Sequence, residues 1–211
     1  MTSPSDPPAA PGWSFEARLW AAGHTPVAGI DEAGRGALAG PIVAAAVILP
    51  PGEHPFRDSK TVAPAVRERL AAEVRACAVA WAVGRAESDE IDALGVPGAT
   101  VLAARRALAA LSTRPGGLVT DWLDVPGPWA VLAPARADAR SVQAAAASLL
   151  AKTERDRWMV GTADVRWPGY GFARHKGYGA PAHLRALYDL GPCATHRRRF
   201  GPVAQSSLFR P

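Results

Sequence analysis

Two adjacent carboxylates and a glycine-arginine-glycine turn follow the first apolar run of the chain. Asp31 and Glu32 come after the segment PVAGI, and residues 34–36 form the turn. Carboxylates beside buried apolar sequence are costly unless a positive group compensates them. One interpretation is a surface turn in which Arg35 neutralises the pair. The apolar segments on both sides of the turn favour a functional site instead.

Two further aspartates occupy comparable positions and extend the carboxylate set. Asp121 ends the segment GLVT, and Asp138 lies just before a helix predicted from residue 141. Together with Asp31 and Glu32 they offer oxygen ligands, which suit magnesium or manganese rather than zinc. Two such ions can activate a water and stabilise the leaving oxygen of a phosphodiester. Neighbouring strand residues point to opposite faces, so both members of the pair reach one site only where the strand bends or ends.

The residues that could bind an anion lie in two segments. In the turn, Gly34 and Gly36 let backbone amides approach a sugar or phosphate closely, while Arg35 contacts the anion. The later segment FARHKGYG mixes basic side chains with Phe172 and Tyr178, a combination that holds nucleic-acid strands by charge and stacking. A solvated basic loop is the alternative for this second segment.

The elements that must position these residues alternate between strands and helices. Apolar periodicity predicts strands at 26–31, 41–50, 78–86, 117–120 and 129–134, and helices at 13–22, 62–77, 99–111, 141–160 and from about 181. The first two strands form a hairpin, and the second is apolar enough to be covered on both faces. Val142, Leu149 and Asp156 are spaced by seven, which places Asp156 on the buried side of its helix.

The whole chain is predicted to form one domain. Its 211 residues suffice for one core, and its net charge of +5 favours a polyanionic partner. The proline-rich residues 1–12 are predicted to be a disordered arm, 13–203 the catalytic domain and 204–211 a tail. Two cysteines and no bilayer-length apolar run predict a cytoplasmic protein without a disulfide framework or membrane contact. Nothing in the sequence demands more than a monomer.

Six blocks in order resemble the ribonuclease HII family, the type 2 branch of ribonuclease H, between residues 26 and 203. They are GIDEAGRGALAGPIVAAAVIL, DSK, EIDALGVPGAT, AAAASLLAKTERDRWM, HKGYGAPAHL and HRRRFGPV. The resemblance implies an α/β ribonuclease H-like fold, with a mixed five-stranded sheet flanked by helices and a helical C-terminal part. It implies cleavage of RNA in RNA-DNA hybrids and 5′ to single ribonucleotides in duplex DNA, leaving 3′-hydroxyl and 5′-phosphate ends.

The resemblance also implies a role for each matching residue. Two Mg²⁺ or Mn²⁺ ions would be held by four catalytic ligands: Asp31, Glu32, Asp121 and Asp138. The turn of Gly34, Arg35 and Gly36 would recognise the 2′-hydroxyl and its phosphate, and Tyr178 would stack on the following deoxyribose. Substrate contacts are predicted for Lys60 and Lys176, and supporting positions near the ligands for Asp156 and Ser148.

Several alternatives stay open from sequence alone. Asp124 competes with Asp121, because WLDVP departs from the glycine that is frequent in the family. Arg136 and Ala137 replace a common lysine and glycine before Asp138, and Pro97 could alter a loop near the site. Ser59 and Lys60 could serve as capping or surface residues. The histidines at 175, 183 and 196 are candidate general bases, although a metal-bound water needs none.

The C-terminal tail resembles a peptide that docks onto the bacterial sliding clamp. Its candidate contacts are Gln205, Leu208 and Phe209; the alternative is a tail that packs its apolar side chains on the domain. Two rival functions also remain. A ribonuclease H-like DNA nuclease would need no 2′-hydroxyl recognition, and a non-catalytic hybrid-binding protein would not need all four carboxylates.

Overall fold

The computed structural model describes residues 10–208 and places one five-stranded sheet at the centre of the molecule. The strands, in chain order, are β1 (Val27–Ala33), β2 (Ile42–Ile48), β3 (Ala80–Ala86), β4 (Gly117–Thr120) and β5 (Ala130–Leu132). Their order across the sheet is β3-β2-β1-β4-β5. The pairs β1-β2 and β2-β3 are antiparallel, whereas β1-β4 and β4-β5 are parallel. The sheet is therefore mixed, as predicted.

The register of β1 and β4 brings two of the predicted carboxylates to one edge of the sheet. Ile30 pairs with Thr120 in the parallel ladder. The next residues along the chain, Asp31 and Asp121, therefore lie side by side. The hairpin predicted from residues 26–50 is confirmed, with Asp31 opposite Ala45 on β2.

Helices cover both faces of the sheet. The long helix α3 (Ser88–Ala110) packs on one face, and α2 (Pro64–Cys77) with α4 (Val142–Trp158) packs on the other. Every residue of β2 is buried, which is why its sequence is almost uninterrupted Val, Ile and Ala. Helix α1 (Ser14–Ala21) adds a smaller apolar cluster beside β1 and β4.

Helix α4 approaches β1 very closely because both surfaces carry small residues. A Cβ atom added at Gly29 would lie 2.2 Å from the backbone carbon of Gln143. The alanines at 144–147 are fully buried. Ser141 caps the helix through its side chain, which accepts a hydrogen bond from the amide of Ala144. The close packing of α4 on β1 fixes the position of the helix start. It also fixes the preceding 3-10 turn (Ala137–Ala139) near the end of β1.

Three helical features differ from the sequence-based predictions. Residues 88–110 form two helical stretches rather than one helix from 99: the first begins at Ser88, Gly95 is non-helical with φ +71° at the kink, and the second continues to Ala110. After α4, a π-helical turn (Met159–Ala163) and the short helices α5 (Asp164–Arg166) and α6 (Phe172–His175) occupy the predicted loop. In α2, Leu70 and Val74 are buried as expected, but Val66 and Cys77 are exposed.

The C-terminal part is helical, as predicted, and contains α7 (Pro181–Leu190) and α8 (Gly201–Leu208). Residues 204–208 were expected to lie outside the fold, but they continue α8. Gln205 is exposed on this helix, whereas the side chain of Leu208 and the whole of Phe209 lie outside the described part of the structure.

At the N-terminus, Gly12 donates to the carbonyl of Arg140 and accepts from the amide of Val142, so the predicted arm meets the fold at its last residue. Residues 1–9 fall outside the described range. Among the described helices, none is both long and apolar enough to cross a bilayer.

Candidate active site

Three of the four predicted carboxylates and the glycine-arginine-glycine turn line one cavity of about 430 Å³ at the carboxyl ends of β1 and β4; Asp138 does not line it. Its walls come from five parts of the chain: the end of β1 with the turn, the loop before α2, the end of β4, helix α4, and the segment around Tyr178. The predicted site residues that line it are Asp31, Glu32, Gly34, Arg35, Gly36, Lys60, Asp121 and Tyr178, joined by Ser59 and Lys152.

Asp31 is the most buried of the carboxylates that line the cavity, with 4% of its surface exposed. Burial raises the pKa of Asp31 well above its ordinary value, and the charges of Glu32 and Asp138 raise it further. A hydrogen bond from Ser148 offsets part of that rise, and the Ser148 hydroxyl also lies 2.7 Å from the Ser59 hydroxyl. A surface turn does not explain this burial, so the surface-turn interpretation is wrong for Asp31.

Glu32 is the partner of Arg35, as the alternative interpretation of the pair proposed. The Arg35 Nη1 atom lies 3.3 Å from the Glu32 Oε1 atom, and half of the arginine side chain is exposed. Burial raises the pKa of Glu32, while Arg35 and Lys60 act in the opposite direction. Arg35 therefore compensates Glu32 and keeps an exposed face toward the cavity.

Asp121 and Asp138 are linked through the 3-10 turn before α4. The Asp121 Oδ1 atom accepts a hydrogen bond from the amide of Ala137 at 3.2 Å. Asp138 is buried on that turn, and Arg136 enters it with a left-handed φ of +55°. The rival Asp124 is exposed and does not line the cavity. The structure thus brings Asp121, and not Asp124, to the other carboxylates.

Lys60 supplies a positive charge to the carboxylate group. Its Nζ atom lies 3.1 Å from the Asp138 Oδ2 atom. Burial alone would lower the pKa of Lys60, but Asp138, Asp31 and Asp58 together raise it. Most of the Lys60 side chain is exposed, whereas only 5% of the Asp138 side chain is, so the lysine compensates a buried carboxylate.

The chemistry of this donor set fits hard divalent cations. All four side chains offer carboxylate oxygens, and their mutual repulsion is relieved when a cation binds. Within residues 10–208, no three His, Cys, Asp or Glu side chains lie close enough to form a preformed metal cage. Asp31, Glu32 and Asp121 therefore border the cavity as separate groups, and Asp138 is paired with Lys60.

Tyr178 forms the opposite wall of the cavity, with 37% of its surface exposed. The Arg155 guanidinium carbon lies 5.1 Å from the centre of its ring, and the Lys152 Nζ atom lies 5.6 Å from it. These cations hold one part of the ring by cation-π contact and leave the rest accessible.

Two other predicted residues lie away from the carboxylates. Lys176 donates to the carbonyls of Ala173 and Arg174, and it borders a separate cavity between α2 and α4. Asp156 is only partly buried and pairs with Lys152 at 2.7 Å and Arg67 at 3.6 Å. Pro97 lies at the break in α3 and does not line the cavity.

The three candidate histidines pack on one another behind Tyr178 and do not line the cavity. The amide of Cys193 donates to the His196 Nδ1 atom, so His196 Nε2 donates to His183 Nε2 at 3.0 Å. His183 Nδ1 then donates to the Tyr178 carbonyl at 2.8 Å. Burial, followed by the charge of His183, lowers the pKa of His196 to about 4. These contacts support Tyr178 and leave no histidine facing the carboxylates.

Sequence reasoning missed two arginines, Arg155 and Arg197, that are fully buried beneath the turn. Their guanidinium groups bind backbone carbonyls between residues 34 and 41. The basic run at 197–199 marks the region in the sequence, but nothing there distinguishes the buried arginine from its exposed neighbours.

Comparisons with known proteins point to one family. Residues 28–203 match the family model described as Ribonuclease HII. The chain is 57% identical over 197 residues to a ribonuclease HII of Thermus thermophilus, covering 93% of this chain and 96% of the relative. Among solved structures, the PCNA:RNase HII complex from Archaeoglobus fulgidus matches with a TM-score of 0.71 and 25% identity, covering 86% of this chain and 96% of that chain. Ribonuclease H2 from Pyrococcus horikoshii OT3 matches with a TM-score of 0.70 and 24% identity, covering 86% and 97%.

Proposed function

This chain belongs to the ribonuclease HII family, and from that membership we propose that it also cuts 5′ to single ribonucleotides embedded in duplex DNA. Its coarser activity follows from the family: it is an endoribonuclease that hydrolyses the RNA strand of RNA-DNA hybrids, and divalent metal dependence is general in the family. One observation supports the finer proposal. Residues 34–36, three of the carboxylates (Asp31, Glu32 and Asp121) and Tyr178 share one cavity, so a scissile phosphate and its sugar can be held together.

The carboxylates are proposed to act through divalent cations. Asp31, Glu32, Asp121 and Asp138 would hold two Mg²⁺ or Mn²⁺ ions, which supply an activated water and stabilise the departing 3′-oxygen. Lys60 balances the charge of Asp138 until metal and substrate arrive. Ser148 on helix α4 lowers the pKa of Asp31 and so favours its charged form. Cleavage then leaves a 3′-hydroxyl and a 5′-phosphate.

Ribonucleotide selection is proposed to lie in the turn. Arg35 is half exposed and contacts the phosphate, while the backbone amides of the turn bind the 2′-hydroxyl, the group that distinguishes RNA from DNA. Gly36 leaves open space where a Cβ atom would stand, so a sugar can approach the backbone. Tyr178 stacks on the deoxyribose that follows, and its ring is presented by Arg155 and Lys152.

The rival functions differ in their substrate requirements. A DNA nuclease of the same fold would cleave an all-DNA duplex, because it does not depend on a 2′-hydroxyl. A non-catalytic protein would bind a hybrid without cutting it. The sequence retains all four carboxylates, and three of them line the cavity; this argues against the second alternative.

The proposal is tested with a duplex that carries one ribonucleotide in an otherwise DNA strand. We expect a cut on its 5′ side with Mg²⁺ or Mn²⁺, no cut in the matched all-DNA duplex, and no cut in EDTA. Mass spectrometry of the products identifies the end groups. Cleavage of the all-DNA duplex would support the rival nuclease, and binding without cleavage under both metals would overturn the catalytic assignment.

We further propose that the C-terminal segment docks onto a sliding clamp. The structure of a relative from Archaeoglobus fulgidus is that of a complex with PCNA, and Gln205 is exposed on α8. Leu208 and Phe209 are the proposed apolar contacts. The alternative, in which the tail packs on its own domain, predicts no clamp affinity.

A further inference from the structure

The turn at residues 34–36 is held from inside the molecule by the guanidinium group of Arg197. The Nη2 atom donates to the Gly34 carbonyl at 2.7 Å, and Nη1 donates to the Arg35 carbonyl at 2.8 Å. The same group binds the Gly40 carbonyl through Nη2 at 2.8 Å and Nε at 3.1 Å. One side chain therefore fixes both ends of the segment that contains the turn.

These bonds determine where the amides of the turn point. In a planar trans peptide, the N–H of one residue points away from the carbonyl of the preceding residue. With the Gly34 and Arg35 carbonyls directed inward to Arg197, the amides of Arg35 and Gly36 are directed outward. Among the described residues, neither amide donates to a protein acceptor. Both amides are therefore free to bind an oxygen of the substrate.

Burial makes this orientation rigid. Arg197 has no exposed surface, and no carboxylate pairs with it among the described ion pairs. A buried guanidinium without a carboxylate must satisfy its donors with other oxygens. Rotating either turn peptide would remove a charge-assisted bond from this group, so the carbonyls stay inward.

The same bracing extends to Tyr178. The amides of Leu38 and Ala39 both donate to the Gly177 carbonyl, and the amide of Arg197 donates to the Leu38 carbonyl. The turn and the tyrosine are thus parts of one hydrogen-bonded junction. A substitution of Arg197 alters the turn first, because several carbonyls of residues 34–40 accept hydrogen bonds from its guanidinium group.

We propose that Arg197 is a positioning residue for ribonucleotide recognition, which acts by directing the Arg35 and Gly36 amides into the cavity. This inference rests on the proposed role of the turn in binding the 2′-hydroxyl. Arg197 itself touches no substrate atom; its effect passes through the peptide planes that it holds. Lysine at this position keeps the charge but cannot bind three carbonyls with the planar fork.

The test compares Arg197→Lys with Val74→Ala, a control for lost stability. Val74 is fully buried in the apolar cluster under α2 and does not line the cavity. For each protein, kcat and KM are measured on duplexes that carry a ribonucleotide, a 2′-fluoro nucleotide or a deoxynucleotide at one position. Thermal unfolding reports the loss of stability in each variant.

We expect Arg197→Lys to reduce the preference for the ribonucleotide over the 2′-fluoro nucleotide at least about tenfold, the effect of losing one well-oriented hydrogen bond. Val74→Ala should lower the melting temperature through the cavity that it leaves in the core and retain that preference. An unchanged preference in a folded Arg197→Lys protein would overturn the inference, as would an equal loss in both variants. If the wild-type protein showed no ribonucleotide preference, the proposed function would fail instead.

Discussion

At the scale of single residues, the site contains a buried carboxylate whose charge destabilises the fold but serves the proposed chemistry. Asp31 lies in the interior beside two other carboxylates, and its raised pKa expresses the cost of ionising it there. Such a residue is retained for chemistry rather than for stability, because removing the charge relieves the fold.

We predict that Asp31→Asn reduces cleavage at least about 100-fold, equivalent to about 2.7 kcal/mol of activation free energy. It should retain hybrid binding. It should also raise the melting temperature of the metal-free protein by about 2–4 °C, because about 1 kcal/mol of added stability has that effect in a chain of this size. Cleavage assays, fluorescence anisotropy and calorimetry measure the three quantities. Asp124→Asn, an exposed change in the neighbouring loop, is the matched control; strong residual cleavage in Asp31→Asn would remove Asp31 from the ligand set.

Tyr178 allows a second prediction at this scale. Tyr178→Ala should lower kcat/KM on the single-ribonucleotide duplex about 10- to 100-fold, because a stacking contact is worth about 1–3 kcal/mol. Tyr178→Phe keeps the ring and should retain nearly full activity. Tyr188→Ala, an exposed tyrosine on α7 that does not line the cavity, serves as the control. Equal activity of the Ala and Phe variants would show that the ring does not stack on the substrate.

The sequence predicted the carboxylates of the site because strand ends are visible in it. Asp31 lies near the end of β1 and Asp121 directly follows β4, and parallel neighbours bring such positions together. Arg197 could not be found in this way. Its role depends on carbonyls from residues 34–40, far away in the chain, and backbone acceptors carry no sequence signature. Lys176 donates to backbone carbonyls of its own loop, and its predicted substrate contact stays a prediction.

At the scale of elements, regular periodicity explains which predictions were correct. All five strands and the helices α1, α2, α4 and α7 were predicted, because their apolar positions face one core each. The first half of α3 was missed, since Gly95 and Pro97 are residues that normally end helices. The short helices α5 and α6 were missed for a different reason: segments of three or four residues contain too few apolar positions to show a period.

The histidine pair that joins α7 to residues 193–196 should make stability depend on pH. In the folded protein the pKa of His196 is about 4, whereas an unfolded chain has a value of about 6.5. Between these pH values the unfolded state binds more protons, so the free energy of unfolding rises with pH by up to roughly 3 kcal/mol. Above pH 6.5 both states are neutral at this residue and its contribution is constant.

Urea unfolding at pH 4.5, 5.5, 6.5 and 7.5 measures this effect. We expect His196→Gln to be less stable than the wild type at neutral pH, because it loses a buried hydrogen bond, and to show a smaller slope between pH 4.5 and 6.5. Equal slopes in the two proteins would mean that other groups cause the acid sensitivity.

At the scale of the whole molecule, the catalytic domain and the proposed docking segment are separable. Val203 on α8 is buried in the cluster with Leu38 and Leu187, whereas Gln205 is exposed. A chain that ends at residue 204 therefore keeps the apolar contact of α8 and loses the proposed clamp peptide.

We predict that deletion of residues 205–211 leaves kcat/KM on a short hybrid within about twofold of the wild type, since surface changes usually cost less than about 0.5 kcal/mol. Binding to an immobilised sliding clamp should be lost. Surface plasmon resonance measures the affinity, with a Gln205→Ala variant of the full chain as the less invasive comparison. Undiminished clamp affinity in the truncated protein would refute the docking proposal.

The bond between Arg197 and Gly34 spans 163 positions of the chain, and this separation has a consequence for protein synthesis. Residues 34–36 are made well before Arg197. A domain generally folds as a unit, so the turn acquires its brace only after both segments have been made. A shorter chain that lacks Arg197 therefore contains the acidic residues of the site without the group that orients the amides of the turn.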